Sequence, residues 1–469
     1  MPHTNSFLNA IDPVIRGCVE AMASELQSHL RPGDTVVLAA DNSPLWVHAD
    51  LALQISGITA IPLPGFFTAG QTGHILNHHP VSAIIGDRAS VRRIDASLDV
   101  ISLPFQGWVL AVLPGQGAIP LLPVPDCPSG AKLTFTSGST GEPKAVVISP
   151  EQQWQVADGI AKSLAPLLPG SHLVLLPLAV LLQNVAGVYS SLLSRSALHV
   201  PSLAEIGFSG SSGFDPGPAL EMVRRTSCET LIVLPHMLRL MVDYMAQKSL
   251  TLPSLRYVAV GGSRVSPQLL DAARALGLPA YEGYGLTEAC SVVSMNTPWQ
   301  HRRASVGQPL PHQQLKIAED GEILIRWSVF NGGEGSGQAW FPTGDLGAVD
   351  PEGYLFINGR KKNLIITGFG RNVSPEWPES MLLEHADISQ AMVYGDGEPH
   401  LSALLVPSHP DIADTVLAGI IGQVNEQLPD YARIHDWKRI RPFTPDTGFM
   451  TPNGRLRRNR IAAFYCSQP

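Results

Sequence analysis

The chain has 469 residues, of which 44% are apolar, and its formal net charge is −8. A chain of this length can hold more than one domain, each with a sizeable core. The acidic balance argues against a broad nucleic-acid-binding surface, and the one dense basic run, at 455–460, is short.

Targeting and redox signals in the chain are few. Five widely spaced cysteines without a CxxC pair indicate neither a disulfide framework nor a zinc site, which fits a reducing compartment. The N-terminal residues lack the pattern of a signal peptide, and the longest apolar run, near 173–182, is short and broken by Pro177. We therefore expect a cytoplasmic protein that does not span a membrane.

The N-terminal part of the chain alternates helix and strand patterns. Residues 1–30 have apolar positions near helical spacing, and strand, helix and strand patterns follow at 35–40, 43–57 and 58–63. This order predicts a parallel sheet with right-handed crossovers. The alternation resumes further on through HLVLLPL, ETLIVLP and RYVAVGG, which predicts a second winding of parallel sheet.

The character of the chain changes near residue 292. Between there and residue 358, short alternating strands separated by glycine-rich turns predict a small antiparallel barrel or meander. After Gly359, a charged GRKKN segment is typical of an exposed hinge. We therefore predict an α/β fold: a large N-terminal domain of doubly wound, mostly parallel sheets plus a small β-barrel at 1–359, and a smaller α+β domain at 360–469.

A loop rich in hydroxyls and glycines, TFTSGSTGEPK at 134–144, follows an apolar strand. Its glycines permit a tight turn, so backbone N–H groups and hydroxyls can converge on one anion, with Lys144 adding a positive charge. The spacing differs from that of P-loop NTPases, which have four residues between the glycines and a Ser or Thr after the lysine. A Ser/Gly loop alone is also compatible with a plain surface turn, so the segments that follow it decide.

Four further segments occur downstream of this loop in a fixed order. They are YEGYGLTEA at 281–289, FPTGDLG at 341–347, GYLFINGRKK at 353–362 and TPNGRLRR at 451–458. Together with the loop they resemble the adenylate-forming superfamily of acyl-CoA synthetases, firefly luciferase and peptide-synthetase adenylation domains. The resemblance implies ATP-dependent activation of a carboxylic acid to an acyl-adenylate, with Mg²⁺ as cofactor and a C-terminal lid domain that rotates between two half-reactions.

The resemblance also implies roles for individual residues. Tyr284 is expected to lie against adenine, Asp345 to accept the ribose hydroxyls beside Arg360, and Glu288 to hold Mg²⁺. The catalytic set is Arg455, Lys144, Thr287 and Glu288, and Lys362 occupies the hinge position. The nucleotide-binding set is Thr136, Ser137, Gly138, Ser139, Thr140, Gly141, Lys144, Gly262, Ser263, Glu282, Gly283, Tyr284, Gly285, Thr287, Asp345 and Arg360.

One motif departs from the family pattern. Relatives carry lysine at the position of Arg455, and a planar guanidinium does not occupy the space of a compact ammonium. Positive charge is nevertheless kept, so we favour an enzyme with a slower or retuned adenylation step. The alternative is a homologue that has lost adenylation and only binds nucleotide or uses a preformed adenylate.

By position in the family, the resemblance implies an acyl pocket formed by Val180, Asn184, His236 and Gly261, which are mostly small or apolar. No aspartate stands where peptide-synthetase domains would hold an α-amino group, so an apolar carboxylic acid, fatty or cyclic, is favoured over an amino acid. Coenzyme A is the expected acceptor. A phosphopantetheine on an acyl carrier protein acting in trans comes next, and an amine that gives an amide is a third possibility.

Overall fold

The computed structural model describes residues 9–113, 127–137, 143–209, 213–327, 340–368, 370–444, 446–450 and 456–465. Side chains of 136, 137, 143, 144 and 327 lie outside the description. None of the helices in these ranges is long and apolar enough to cross a membrane.

The first part of the chain forms a mixed sheet with helices, as the alternating pattern predicted. In the described ranges the strand order is β4-β5-β3-β1-β2-β6-β7, in which β3, β1, β2 and β6 are parallel and the edge strands run antiparallel. The elements are α1 Pro13–Gln27, β1 Thr35–Ala39, α2 Pro44–Ile55, β2 Thr59–Pro62, α3 Ala69–His78, β3 Ala83–Asp87, α4 Arg88–Ile94, β4 Ile101–Ser102, β5 Trp108–Val112, β6 Lys132–Ser137 and β7 Pro143–Ile148.

The helix predicted over residues 1–30 is shorter in the structure. It begins at Pro13, because the Asp12 side chain accepts a hydrogen bond from the backbone N–H of Val14 and proline fits the first helical position. Residues 1–8 lie outside the described ranges.

A second sheet follows in the described part of the chain, with the order β16-β15-β14-β13-β12-β8-β9. Strands β9, β8, β12, β13 and β14 are parallel, and β15 and β16 add antiparallel pairs at one edge. Strands β10 and β11 form a separate antiparallel pair. The elements are α5 Pro150–Leu164, β8 Ser171–Leu173, a π-helix Leu182–Tyr189, α6 Ser190–Leu193, β9 Ala197–His199, β10 Phe208–Ser209, β11 Gly213–Phe214, α7 Pro216–Thr226, β12 Thr230–Val233, α8 Pro235–Lys248, β13 Tyr257–Val260, α9 Pro267–Ala275, β14 Ala280–Tyr284, β15 Ser294–Met295 and β16 Gln308–Pro309.

The segment predicted as a small barrel is an antiparallel meander of four consecutive strands within the described residues. These are β17 Gln313–Ile317, β18 Glu322–Trp327, β19 Phe341–Val349 and β20 Leu355–Arg360. The predicted start near residue 292 is too early, because β15 pairs with β14 and so belongs to the second sheet. A small core that includes Val293, Ile323 and Leu355 packs beneath the meander.

The C-terminal part of the chain has separate hydrophobic cores. One includes Leu382, Leu405 and Leu417, and a second includes Phe443 and Ile461. The elements are β21 Ile365–Ile366, β22 Asn372–Val373, α10 Glu376–Leu382, β23 Ile388–Tyr394, β24 Leu401–Pro407, α11 Asp414–Gln427, β25 Ile434–Arg439 and α12 Arg458–Tyr465. The mixed α/β class is therefore as predicted, and the exact division at 359/360 stays a prediction.

Candidate active site

A cavity of about 1180 Å³ lies where the carboxyl ends of the parallel strands of both sheets meet. Residues that follow β1, β2, β12, β13 and β14 line it, and the C-terminal part contributes Leu383, Gln390, Met450 and Leu456. In open α/β sheets, ligands bind outside the carboxyl ends of the strands. The position of the cavity therefore follows from the topology of the fold.

Residues 261–263 and 283–287 form one end of the cavity. We call it the nucleotide end, after the role predicted for these residues. Two glycines there cannot be replaced without strain. Gly262 has φ of +88°, and a Cβ on Gly285 would lie 1.5 Å from the Ser291 carbonyl oxygen. The predicted residues of these two loops, Gly261, Gly262, Ser263, Gly283 and Gly285, all line the cavity.

Tyr284, Asp345 and Arg360 come together beside this end. Asp345 and Arg360 face each other across β19 and β20, and Arg360 Nε lies 2.6 Å from Asp345 Oδ1. The Tyr284 hydroxyl donates a 2.6 Å hydrogen bond to Asp345 Oδ2. Burial first, and the Asp345 charge second, raise the pKa of Tyr284, so its hydroxyl stays a donor. The structure therefore brings together three residues that lie far apart in the sequence.

Thr287 and Glu288 lie in a short 3₁₀ turn, Thr287–Ala289, directly after β14. Thr287 lines the cavity, and the Glu288 side chain is half-buried next to it. In the described residues, no group of three or more His, Cys, Asp or Glu side chains could by itself hold a metal ion. Mg²⁺ is commonly coordinated by one or two carboxylates together with phosphate and water oxygens. Glu288 could provide the carboxylate of such a site.

The phosphate loop is described only in part. The backbones of Thr136 and Lys144 face each other across the β6–β7 hairpin, and Ser137 faces Pro143. The predicted residues Gly138, Ser139, Thr140, Gly141 and Arg455 lie outside the described residues. Their roles stay predictions.

Glu282 is one of the predicted nucleotide-binding residues. Glu282 is not among the described residues that line the cavity. Its carboxylate instead accepts a hydrogen bond from the Val265 N–H at 3.2 Å. Burial raises the pKa of Glu282 to about 8.

Three of the four predicted acyl-pocket residues line the cavity: Val180, His236 and Gly261. Burial lowers the pKa of His236, so its imidazole is neutral near pH 7. The prediction for the fourth residue, Asn184, is not met by the structure. It is 1% exposed and bonds Lys132 and Asp50 in the protein core, and it is not among the described residues that line the cavity.

Leu182, Ala186, Ile232, Leu234 and His236 form a largely apolar wall of the cavity, which we call the acyl extension. Of these five residues, only His236 was predicted from the sequence. Thr230, Leu231 and Ile232 of β12 and Leu234 just after the strand all line the cavity, so alternation along the strand gave no usable signal for these residues.

The predicted hinge residue Lys362 lies in a 3₁₀ turn, Lys361–Asn363, between the meander and the C-terminal elements. Its side chain is exposed. Its neighbour Lys361 forms ion pairs with Asp320 at 2.6 Å and Glu322 at 2.8 Å. The turn is thus tied to the meander through Lys361, and the hinge role of Lys362 stays a prediction.

The chain is similar in sequence to curated CoA ligases. A long-chain-fatty-acid–CoA ligase of Mycobacterium bovis is 34% identical over 247 residues, which are 45% of this chain and 41% of that enzyme. The chain therefore spans less than half the length of that relative. An indoleacetate–CoA ligase of Aromatoleum aromaticum is 29% identical over 416 residues, 81% of this chain and 79% of that enzyme.

Comparison with solved structures gives the same fold. An anthranilate CoA ligase in complex with anthranoyl-AMP superposes with a TM-score of 0.76 at 18% identity, covering 96% of this chain and 91% of that one. The amide bond synthetase McbA from Marinactinospora thermotolerans superposes with a TM-score of 0.74 at 23% identity, covering 96% and 94%.

Family matches cover most of the chain. Residues 16–334 match the AMP-binding enzyme family, and residues 362–468 match the AMP-binding enzyme C-terminal domain. The chain therefore belongs to the AMP-binding enzyme family, within the adenylate-forming superfamily that its motifs resembled.

Proposed function

We propose that the protein activates an apolar carboxylic acid with ATP, releasing pyrophosphate and forming an acyl-adenylate, and then transfers the acyl group to a thiol with release of AMP. The observation that carries this proposal is that the nucleotide end and the acyl extension belong to one continuous cavity. A module that only binds nucleotide has no need of an apolar channel next to the nucleotide. An enzyme that joins an acid to AMP requires both in contact.

The acid class is inferred from the walls of the acyl extension. The wall is aliphatic at Leu182, Ala186, Ile232 and Leu234. Each Å² of apolar surface that the acid removes from water here contributes about 25 cal/mol to binding, which favours a fatty or cyclic acyl group. His236 adds a neutral imidazole, which can hydrogen-bond a polar atom without requiring a charged partner. The carboxylate of the acid would then lie toward Gly261 and Thr287 at the nucleotide end.

Adenylation requires two anions to meet, the carboxylate and the α-phosphate of ATP. Positive groups aimed at the reacting oxygens lower the cost of this approach, and more so where water is excluded. We assign this charge to Lys144 and Arg455 and the contact with the α-phosphate to Thr287. Mg²⁺, held by Glu288 and phosphate oxygens, would neutralise charge on the leaving pyrophosphate.

The nucleoside is assigned to the neighbouring cluster of Tyr284, Asp345 and Arg360. The Tyr284 ring offers a flat surface for adenine, and the buried Asp345 carboxylate is a strong acceptor for ribose hydroxyls. Arg360 holds that carboxylate in place through its ion pair.

The acceptor is assigned to the thiol of coenzyme A, in line with the CoA ligases among the relatives. A phosphopantetheine thiol on a separate acyl carrier protein is the second choice. An amine acceptor would give an amide by the same attack on the mixed anhydride. All three acceptors use the same first half-reaction, so the adenylation proposal does not depend on which is correct.

Hydroxylamine trapping tests the proposal. The full chain is incubated with ATP, Mg²⁺, hydroxylamine and single members of a panel of fatty, cyclic, aromatic and amino acids. We expect hydroxamate with apolar acids. ATP binding without hydroxamate from any acid would overturn the proposal in favour of a nucleotide-binding homologue. Repeating the positive wells with coenzyme A, with phosphopantetheinylated carrier protein or with amines then identifies the acceptor by the product formed.

A further inference from the structure

An ion pair lies in the core beneath the cavity. Lys132, the first residue of β6, is 2% exposed, and Asp50 of α2 is 1% exposed. Lys132 Nζ lies 2.9 Å from Asp50 Oδ2. Removing two charges from water costs several kcal/mol per ion, and a buried pair is tolerated only when further hydrogen bonds complete it.

The π-helix Leu182–Tyr189 supplies hydrogen bonds to Lys132 and to Asp50 Oδ2, whereas Asp50 Oδ1 has no hydrogen-bond partner among the described residues. Asn184 accepts from Lys132 through Oδ1 and donates to Asp50 Oδ2 through Nδ2 at 2.9 Å. The Tyr189 hydroxyl also donates to Asp50 Oδ2 at 2.9 Å, and Lys132 Nζ lies 3.4 Å from that hydroxyl. Burial first, then the Asp50 charge, raise the pKa of Tyr189, so the phenol remains a donor.

Asn184 and Tyr189 are five residues apart, and this spacing explains the helix type. An α-helix turns by about 100° per residue, so residues i and i+5 would point about 140° apart and could not reach one ion pair. A π-helix closes i→i+5 hydrogen bonds and stacks such residues. The backbone N–H of Ser190 accordingly donates to the carbonyl of Val185.

The other side of the same helix is anchored as well. Gln183 donates to His172 Nε2 at 3.0 Å, and burial lowers the pKa of His172 to about 4, so this histidine is a neutral acceptor. Gly187 leaves the room this contact needs, because a Cβ there would lie 2.1 Å from Gln183 Nε2. Two anchors thus fix a helix form that is rare and seldom extends beyond one turn.

The π-helix also forms one wall of the cavity. Leu182 and Ala186 line it, as does Ser190 at the start of α6, whereas Asn184 and Tyr189 point to the ion pair. A return to i→i+4 hydrogen bonding would change the turn per residue and move Ala186 and Ser190 relative to Leu182. The shape of the wall is therefore coupled to the helix type.

We propose that Lys132 and Asp50 are positioning residues that set acid specificity: their buried ion pair holds residues 182–189 as a π-helix and so fixes the wall of the acyl extension. This inference rests on the proposed function, because it assumes that the acyl extension receives the acid. Neither residue lines the cavity in the described part of the chain. Their effect is transmitted through Asn184 and Tyr189.

The test replaces the pair by apolar residues of similar size in the double variant Asp50→Leu/Lys132→Met. The readouts are kcat/KM across the acid panel, the KM for ATP, and the crystal structure of the variant. We expect residues 182–189 to become α-helical and the ratio of kcat/KM between acids of different bulk to change by about tenfold, the scale of one or two methylenes in an apolar pocket. The KM for ATP should stay within about threefold of wild type.

Leu220→Ala provides a control for stability alone. Leu220 is fully buried in α7 and is not among the described residues that line the cavity. Its truncation should lower the melting temperature and leave the ranking of acids unchanged. If the double variant does not fold, Tyr189→Phe removes one hydrogen bond to the pair and should change the ratio of kcat/KM between the same acids by less than about tenfold. A ratio equal to that of wild type would then overturn the inference.

For the double variant, two results would overturn the inference. One is a variant structure that keeps the π-helix, and the other is an α-helical variant with the wild-type ranking of acids. Failure of the proposed function looks different, since wild type would then form no hydroxamate with any acid. In that case the variant structure still decides whether the ion pair specifies the π-helix.

Discussion

The hydroxyl of Tyr284 donates a hydrogen bond of 2.6 Å to Asp345, whose carboxylate is 3% exposed and also pairs with Arg360. The two residues assigned to adenine and ribose are thus bonded to one another. Ribose hydroxyls that bind Asp345 would have to share or displace the phenol. This relationship gives the first prediction.

Asp345→Ala and Tyr284→Phe should affect ATP binding differently. Removing the carboxylate loses charge-assisted hydrogen bonds and should weaken ATP binding by about 1.5–3 kcal/mol. Tyr284→Phe keeps the ring and removes only the hydrogen bond from the phenol to Asp345, so the Kd for ATP should stay within about threefold of wild type. Isothermal titration with ATP measures both values. Equal losses in the two variants would contradict the assignment.

Glu288→Gln should lower turnover and shift the Mg²⁺ dependence. An amide oxygen is a weaker ligand for a hard cation than a carboxylate, so we expect kcat to fall by about 100-fold and half-maximal activity to require more Mg²⁺. Pyrophosphate release at varied Mg²⁺ measures this. Glu319→Gln, at an exposed carboxylate, serves as the control. Wild-type kcat and Mg²⁺ dependence in Glu288→Gln would argue against a metal-binding role.

Arg455 lies outside the described residues, and its role is predicted from the sequence. Arg455→Ala should abolish most pyrophosphate release but spare the reaction of a supplied acyl-adenylate with the thiol. For Arg455→Lys we expect faster adenylation, because the compact ammonium is the group that relatives carry. Arg457→Lys is the matched control. Equal pyrophosphate release in wild type and both Arg455 variants would exclude a catalytic role.

Glu282 should make stability fall with rising pH. Its pKa is raised to about 8, so between its usual pKa of about 4.5 and 8 the carboxyl is protonated in the folded state and ionised in the unfolded state. Folding then takes up a proton, and the contribution of this residue falls by about 1.4 kcal/mol per pH unit across that window. Urea unfolding of wild type and Glu282→Gln at pH 5, 6, 7 and 8 measures the difference. A difference that is constant with pH would disprove the shift.

Arg239 should hold the C-terminal part against the N-terminal part. Its Nη2 donates to the carbonyl oxygens of Leu383 at 3.2 Å and Glu384 at 3.3 Å, just after α10. Arg239→Ala should loosen this contact and speed tryptic cleavage at Lys361 or Lys362 by several-fold, since proteolysis follows the population of open states. Arg224→Gln, which breaks only an exposed pair within α7, is the control. Unchanged cleavage would show that Arg239 does not restrain the hinge.

The sequence by itself determined the family and the α/β class. Both depend on short-range signals: hydrophobic period, turn-forming glycines and the order of motifs such as YEGYGLTEA and FPTGDLG. Gly262 and Gly285 illustrate why these signals work. Each is required by its own backbone conformation or by a neighbour a few residues away, so the requirement can be read locally.

Only the tertiary structure decided where Asn184 and Glu282 point. Asn184 turns into the core because Lys132 and Asp50, 52 and 134 residues away in the chain, form an ion pair that needs its amide. Glu282 is drawn away from the cavity by the backbone of Val265. In both cases a partner distant in sequence fixes the direction of the side chain. Helical or strand periodicity predicts which side chains share a face of a regular helix or strand. It does not reveal that the buried Lys132–Asp50 pair has changed the helix type.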